Sequence, residues 1–272
     1  MRWFVSLKSY GDLVIACNAL SKENISDYGL LAGTHLHDLI GAIGYSGRMQ
    51  YIDTGITVPA LFDFKKKGFV DAAISGINIY KYIHNAIQAQ DTLIFDKINI
   101  RQKIIAAGFN KESFACGAPN IYEDYQRYLG LKLNSEILRF EEVGKSVLVF
   151  PDSRISNKKI NEQLQAQIAY KIISSGRQAT IVRIGQQASQ VSKYTYTERW
   201  LSGFNNLVEV IKAADGVVSA DSLPAHIAEH LKIPVFVCNP TPNDYWLPYS
   251  SCKLGWHACF HDLSRLDQWL KY

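Results

Sequence analysis

The feature that most limits this chain is an alternation of short apolar runs with amphipathic stretches, and the alternation starts twice. Trp3–Leu7 is a β-rich run, Ser9-Tyr10-Gly11-Asp12 turns the chain, and Leu13–Leu20 carries apolar residues at helical spacing. Tyr28–Leu31, Met49–Ile52 and Thr92–Phe95 read as further strands, with a helical stretch over Leu36–Ile43. Leu61–Gln90 resists assignment, and Lys65-Lys66-Lys67-Gly68 within it reads as an exposed loop. Tyr122–Leu131 reads as a helix with an aromatic face. A polar stretch, Asn134–Lys145, follows, and the pattern restarts at Ser146–Phe150. Beyond it come a long helix over Lys158–Ser175 closed by Gly176 and strands at Thr180–Ile184, Gly216–Ser219, Pro234–Cys238 and Trp256–Phe260. Helices are expected over Asn206–Ala214, Pro224–Leu231 and Asp262–Leu270. Strands alternating with helices imply parallel α/β sheets. Two starts imply two doubly wound domains, residues 1–143 and 144–272, with a cleft between them.

Composition narrows the class. The 272 residues are 47% hydrophobic and 20% charged, which excludes a disordered or fibrous chain. A net charge of +4 is too mild for a nucleic-acid binder, but suits an enzyme of anionic metabolites or one resting on an anionic membrane. Cys17, Cys116, Cys238, Cys252 and Cys259 are odd in number and irregular in spacing, with no C-x-x-C pair; this points to a reduced, cytoplasmic protein. Trp3–Leu7 is too short for a signal peptide, and no stretch approaches the ~18 apolar residues of a membrane span.

The strongest chemical cluster is Val218-Ser219-Ala220-Asp221-Ser222-Leu223-Pro224-Ala225-His226. A buried strand ends at Ala220 and a helix follows, with Ser222 at the N-cap and Pro224 in the first turn. Ligands of open α/β sheets bind at the carboxyl ends of strands, and a helix N-terminus there suits a phosphate. The competing reading is that Asp221 and Ser222 only cap the helix.

This cluster, with Ile233-Pro234-Val235 and the run Asn239-Pro240-Thr241-Pro242-Asn243-Asp244-Tyr245-Trp246-Leu247-Pro248, resembles glycosyltransferase family 9, the ADP-heptose:lipopolysaccharide heptosyltransferases. Ser6–Val14, with its Gly11-Asp12 turn, resembles the N-terminal strand and turn of that family. Tyr122–Leu131 is similar to its interdomain helix, and Phe150-Pro151-Asp152-Ser153-Arg154 with Lys158-Lys159 to the opening of its nucleotide-binding domain. The resemblance implies a GT-B fold, two Rossmann-like domains facing across a cleft. It implies inverting transfer of a sugar, heptose in the family, without metal or other cofactor, from a nucleotide-sugar donor, an ADP-sugar. The acceptor would be an anionic bacterial surface glycan or glycolipid.

The resemblance also distributes roles. Asp12 takes the position of the base that accepts the acceptor hydroxyl proton; its alternative is a turn carboxylate. Ser153, Arg154, Lys158, Asp221, Ser222, Leu223 and His226 are expected at the donor, where cations and N–H groups stabilise a departing diphosphate without metal. Lys158 and Lys159, read as opposing the dipole of their own helix, favour an anionic partner. Lys8, Lys65 and Lys66 are expected at the acceptor, the lysine run touching acceptor phosphates or lipid headgroups at the inner face of the cytoplasmic membrane. The departures from the family pattern cluster at the donor: Ile160-Asn161 replaces an aromatic-Pro pair, and Leu223 and Asn239 stand where glycine is common. A catalytically silent nucleotide- or sugar-binding protein on the same scaffold is the alternative, and a nucleotide-sugar epimerase a third reading. Two decoys compete: His226-Ile227-Ala228-Glu229-His230 fits H-x-x-E-H, and Cys252, His257, Cys259 and His261 could gather a metal.

Overall fold

The computed structural model describes residues 1–7, 9–21, 26–53, 64–131, 143–185, 196–241 and 243–272; for 64–69, 71–73, 75 and 200 it describes the backbone alone. The chain divides into two compact units. The first comprises Met1–Ala118 and Tyr122–Leu133, the second Pro119–Ile121 and Asn134–Tyr272.

The first unit runs β1 (Arg2–Ser6), α1 (Tyr10–Leu20), β2 (Tyr28–Gly33), α2 (His37–Ala42), β3 (Met49–Ile52), α3 (Phe64–Ala86), β4 (Thr92–Phe95), α4 (Ile100–Ile105) and β5 (Asn110–Ser113), and takes in most of α5 (Ile121–Tyr128). Its strands lie in the order β3-β2-β1-β4-β5, all parallel. β1 is central, with Phe4 level with Leu30 on one side and Ile94 on the other. The aromatic face expected on α5 is present: Tyr125 and Tyr128 pack on the Phe4 ring at centroid distances of 5.3 and 5.6 Å.

The second unit contains β6 (Ser146–Phe150), α6 (Glu162–Ser174), β7 (Gln178–Ile184), β8 (Thr197–Leu201), α7 (Phe204–Lys212), β9 (Gly216–Ala220), α8 (Leu223–His230), β10 (Val235–Asn239), α9 (Tyr249–Leu254), β11 (His257–Cys259) and α10 (Ser264–Trp269). The order is β11-β10-β9-β6-β7-β8, again all parallel. Val147, Val149, Val218, Ala220, Phe236 and Cys238 join Leu164, Ile168, Ile172, Leu266 and Trp269 in one core cluster. Both faces of the central strands are buried, which is why they read as unbroken apolar runs.

Three expectations are corrected. The lysine run is not a loop: Lys65, Lys66 and Lys67 occupy the opening of α3. The helix expected from Lys158 starts instead at Glu162, behind a 3-10 turn at Ser156–Lys158. The strand expected over Trp256–Phe260 is shorter, β11 covering only His257–Cys259, and Cys259 is half-buried. The polar edge strands β5 and β8 and the short α4 and α9 lie outside the sequence-based assignment. Ile168 is fully buried in the core of the second unit. Ile168→Ala should therefore cost about 2–5 kcal/mol, read as a lower urea midpoint for this unit.

Candidate functional site

In each unit the strand order reverses beside the first strand of its sheet. In the second unit this switch lies between β6 and β9, where a doubly wound sheet opens a crevice at its carboxyl edge. The loops leaving these two strands supply the site. After β6 the chain runs through Pro151, Asp152, Ser153 and the exposed Arg154 to the 3-10 turn that carries Lys158. Ile160, 1% exposed, pins this loop. Its amide donates to the Pro151 carbonyl at 3.0 Å, and its carbonyl accepts from Gln165 Nε2 at 2.6 Å. Asn161 then caps α6 by accepting from the Leu164 amide at 2.9 Å. Ile160 and Asn161 thus form an apolar anchor and a helix cap.

Lys158 reaches across the switch point. Its ammonium lies 2.5 Å from Asp221 Oδ2, and Asp221 is only 8% exposed. Contrary to expectation, Lys158 does not oppose a helix dipole, because it precedes the helix and faces the Asp221 carboxylate. His226 sits one turn into α8 and is buried. Burial pushes its imidazole down to about 4; Asp221 acts in the opposite direction and Lys158 adds to the depression. At neutral pH His226 is thus uncharged, one ring nitrogen a donor and the other an acceptor. Ser222 holds the N-cap position in extended backbone but makes no side-chain cap. Its hydroxyl turns back to the Ala220 carbonyl at 3.3 Å, which corrects its expected capping role. Pro224 brings no N–H to the first turn, and the Ala225 amide is engaged by the Ser222 carbonyl at 3.1 Å. Leu223, half-buried, is the first helical residue. Ser153 Oγ accepts from the Ile155 amide at 3.3 Å and shapes the loop.

Two asparagines complete this edge. Asn239 ends β10, and since Cys238 pairs with Ala220, it stands one residue on, level with Asp221. It is 3% exposed, and neither amide atom has a hydrogen-bond partner. The run Asn239–Pro248 pointed to this position, but nothing in it signals the unmet amide. Asn120 is completely buried and donates to the Asp244 and Leu247 carbonyls at 2.9 and 3.0 Å, fixing the loop that follows β10. No sequence signal marks Asn120.

In the first unit the switch lies between β1 and β4. Asp12 stands there, half-exposed in the first turn of α1, its amide donating to the Ser9 hydroxyl at 3.3 Å. Lys8 lies outside the described residues, and the side chains of Lys65 and Lys66 are likewise undescribed. The structure therefore gathers Lys158, Asp221 and His226, places Ser153, Arg154, Ser222 and Leu223 on the loops around them, and sets Asp12 at the corresponding edge of the other sheet. The H-x-x-E-H pattern resolves otherwise: Glu229 accepts from the amide of Ser250 at 3.2 Å and from its hydroxyl. Among the described residues no three His, Cys, Asp or Glu side chains converge as metal ligands.

No family model and no curated protein matches the chain in sequence. Known structures do. The E. coli heptosyltransferase WaaC with ADP superposes over 100% of this chain and 99% of its own, at TM-score 0.62 and 11% identity. The chain has the heptosyltransferase fold. A glycosyltransferase of family 9 from Veillonella parvula covers 95% of this chain and 86% of its own at TM-score 0.61 and 12% identity. The E. coli ADP-heptose lps heptosyltransferase II covers 98% and 96% at TM-score 0.58 and 12% identity. The expected GT-B type of fold, with two Rossmann-like sheets, is what these neighbours share with the chain.

The neutral, buried His226 makes stability depend on pH. Its folded-state pKa lies below the ordinary value of 6.5, so the unfolded chain binds the proton more tightly. The contribution is complete above about pH 6.5 and is lost as pH falls towards 4, about 3 kcal/mol in all. His226→Gln should flatten urea midpoints measured across this window; an unchanged slope would place the titration elsewhere.

Proposed function

We propose that the protein is an inverting glycosyltransferase that uses a nucleotide-sugar donor. The observation that carries this reading is the meeting of Lys158, Asp221 and His226 at the switch point of the second sheet, on a heptosyltransferase fold. The donor belongs to the second unit. Lys158 would lie against the diphosphate, Asp221 would hold the lysine and accept from the sugar, and neutral His226 would donate a hydrogen bond without adding charge. Ser153, Arg154, Ser222 and the Leu223 amide line the same edge. An ADP-sugar is the expected donor, since the WaaC structure contains ADP. A heptose is the candidate sugar, since the neighbours are heptosyltransferases.

The chemistry needs two charges managed. The acceptor oxygen attacks the anomeric carbon and loses its proton to Asp12 as the new bond forms. The old bond breaks with its electron pair going to the diphosphate, and Lys158 and the α8 amide stabilise the added negative charge. The acceptor is an anionic glycan or glycolipid, with Lys8, Lys65 and Lys66 as candidate contacts. The reaction as drawn uses no metal.

A second reading has one observation in its favour. Asp221 already satisfies Lys158 without a ligand, as suits a silent nucleotide- or sugar-binding protein. A panel of nucleotide-sugars separates the two: the enzyme consumes one donor, whereas the binder shows affinity and no turnover. Asp12→Ala should lower transfer by at least about 10²–10⁴-fold while donor affinity stays within a factor of two or so. Near-normal turnover would remove Asp12 as the base. Activity should also survive excess EDTA, and its loss would bring metal chemistry back.

A further inference from the structure

One buried side chain at the carboxyl edge of the second sheet has no task in the reaction as drawn. Asn239 closes β10 with 3% of its surface exposed, and among the described residues neither its Oδ1 nor its Nδ2 has a hydrogen-bond partner. Burial takes an amide away from water, so two unmet ends destabilise the fold. Such groups are few in folded proteins, and each calls for a physical reason.

Its position supplies one. On β9 and β10, Val218, Ala220, Phe236 and Cys238 face the core built with α6 and α10. Side chains alternate along a strand, so Asn239 faces the other side of the sheet, with Val237 and Ser219. Helix α8 packs on both strands, and its buried Ile227 and Ala228 lie outside that core, so α8 covers this second face. Asn239 also stands level with Asp221, each one residue past the paired Cys238 and Ala220. Neighbouring strands lie about 4.8 Å apart, so an amide on one is within reach of a carboxylate level with it on the next.

Asp221 has a need for that amide. Its carboxylate is buried and is held by Lys158, the cation that a donor diphosphate would draw on. As Lys158 turns to phosphate, the carboxylate loses its counter-charge in a place where water cannot replace it. An asparagine offers two N–H groups and no charge, so it can hold the carboxylate without competing for the diphosphate.

We propose that Asn239 is a positioning residue for donor binding: its amide, unengaged while Lys158 holds Asp221, donates to Asp221 once a diphosphate draws the lysine away. This rests on the donor reading given above and adds an exchange of partners to it. Lys158 and Asn239 hold Asp221 in turn, and a group that is met only in the complex shifts the balance towards the complex.

The test is calorimetric titration of the full chain with ADP and with inorganic pyrophosphate. The unaltered chain should bind both. Asn239→Leu, which keeps the branched shape of the side chain and removes its polar atoms, should weaken ADP binding by about ten-fold or more. Asn239→Ala should do the same, and it decides the matter where thermal melts show that the leucine variant does not fold. On an Asp221→Asn background, which has no carboxylate to hold, the same Asn239 substitutions should change ADP affinity by no more than about two-fold. A merely structural role would weaken binding alike in both backgrounds. Unchanged ADP affinity in a folded Asn239 variant overturns the proposal, and so does an equal loss in both backgrounds; either result leaves the donor reading standing. An unaltered chain that binds neither ADP nor pyrophosphate removes the donor reading and this proposal with it.

Discussion

Every strand pairing described in this protein is parallel, and that constraint governs the rest. A parallel neighbour cannot be reached by a tight turn, so the chain must cross the face of the sheet, and helices come to cover both sides. The strands are left with apolar side chains on both faces. Polar chemistry is pushed to the ends, and the carboxyl end beside the point of reversal is the one place where two neighbouring loops part. Asp12 in one sheet, and Lys158 with Asp221 in the other, occupy that place for the same topological reason.

The Lys158–Asp221 pair is held in surroundings that would punish either charge alone. Asp221 is buried, so losing its cation would strand a carboxylate, at a cost of about 3–5 kcal/mol. An anionic ligand does not have to create this cationic centre. In the proposed reading, the donor diphosphate would share a lysine that is already positioned. His226, kept neutral beside the pair, spares the site a third charge that would have to be desolvated. Pro224 and the inward hydroxyl of Ser222 together leave the helix start with less to offer an anion than its sequence suggests.

What could be read before the structure follows the same physics. β6, β9 and β10 are buried on both faces, and the runs Ser146–Phe150, Gly216–Ser219 and Pro234–Cys238 stand out by composition alone. β5, with the sequence Asn-Lys-Glu-Ser, and β8 are outer strands; their polar residues suit an edge and hide the strand. The start of α6 was misplaced because Ile160 fits a helical period, whereas it is the buried peg before the Asn161 cap. The individual site residues were legible as a motif. Their pairing was not, because Lys158 and Asp221 are separated by the whole of α6, β7, β8, α7 and β9. Asn120 was out of reach for a different reason: an asparagine's worth depends on which carbonyls surround it, and those of Asp244 and Leu247 lie far away in the chain.

The short segment Pro119–Ile121 belongs to the second unit, although the residues on either side of it belong to the first. It places Asn120 under the loop that follows β10. The chain therefore does not come apart as two beads on a string. Cutting it between residues 143 and 144 would yield a carboxyl-terminal fragment with an intact sheet and an unheld loop, since the side chain that ties Asp244 and Leu247 down would be left on the other piece. The second unit completes its fold with three residues from the first unit's stretch of sequence, and only the continuous chain supplies them.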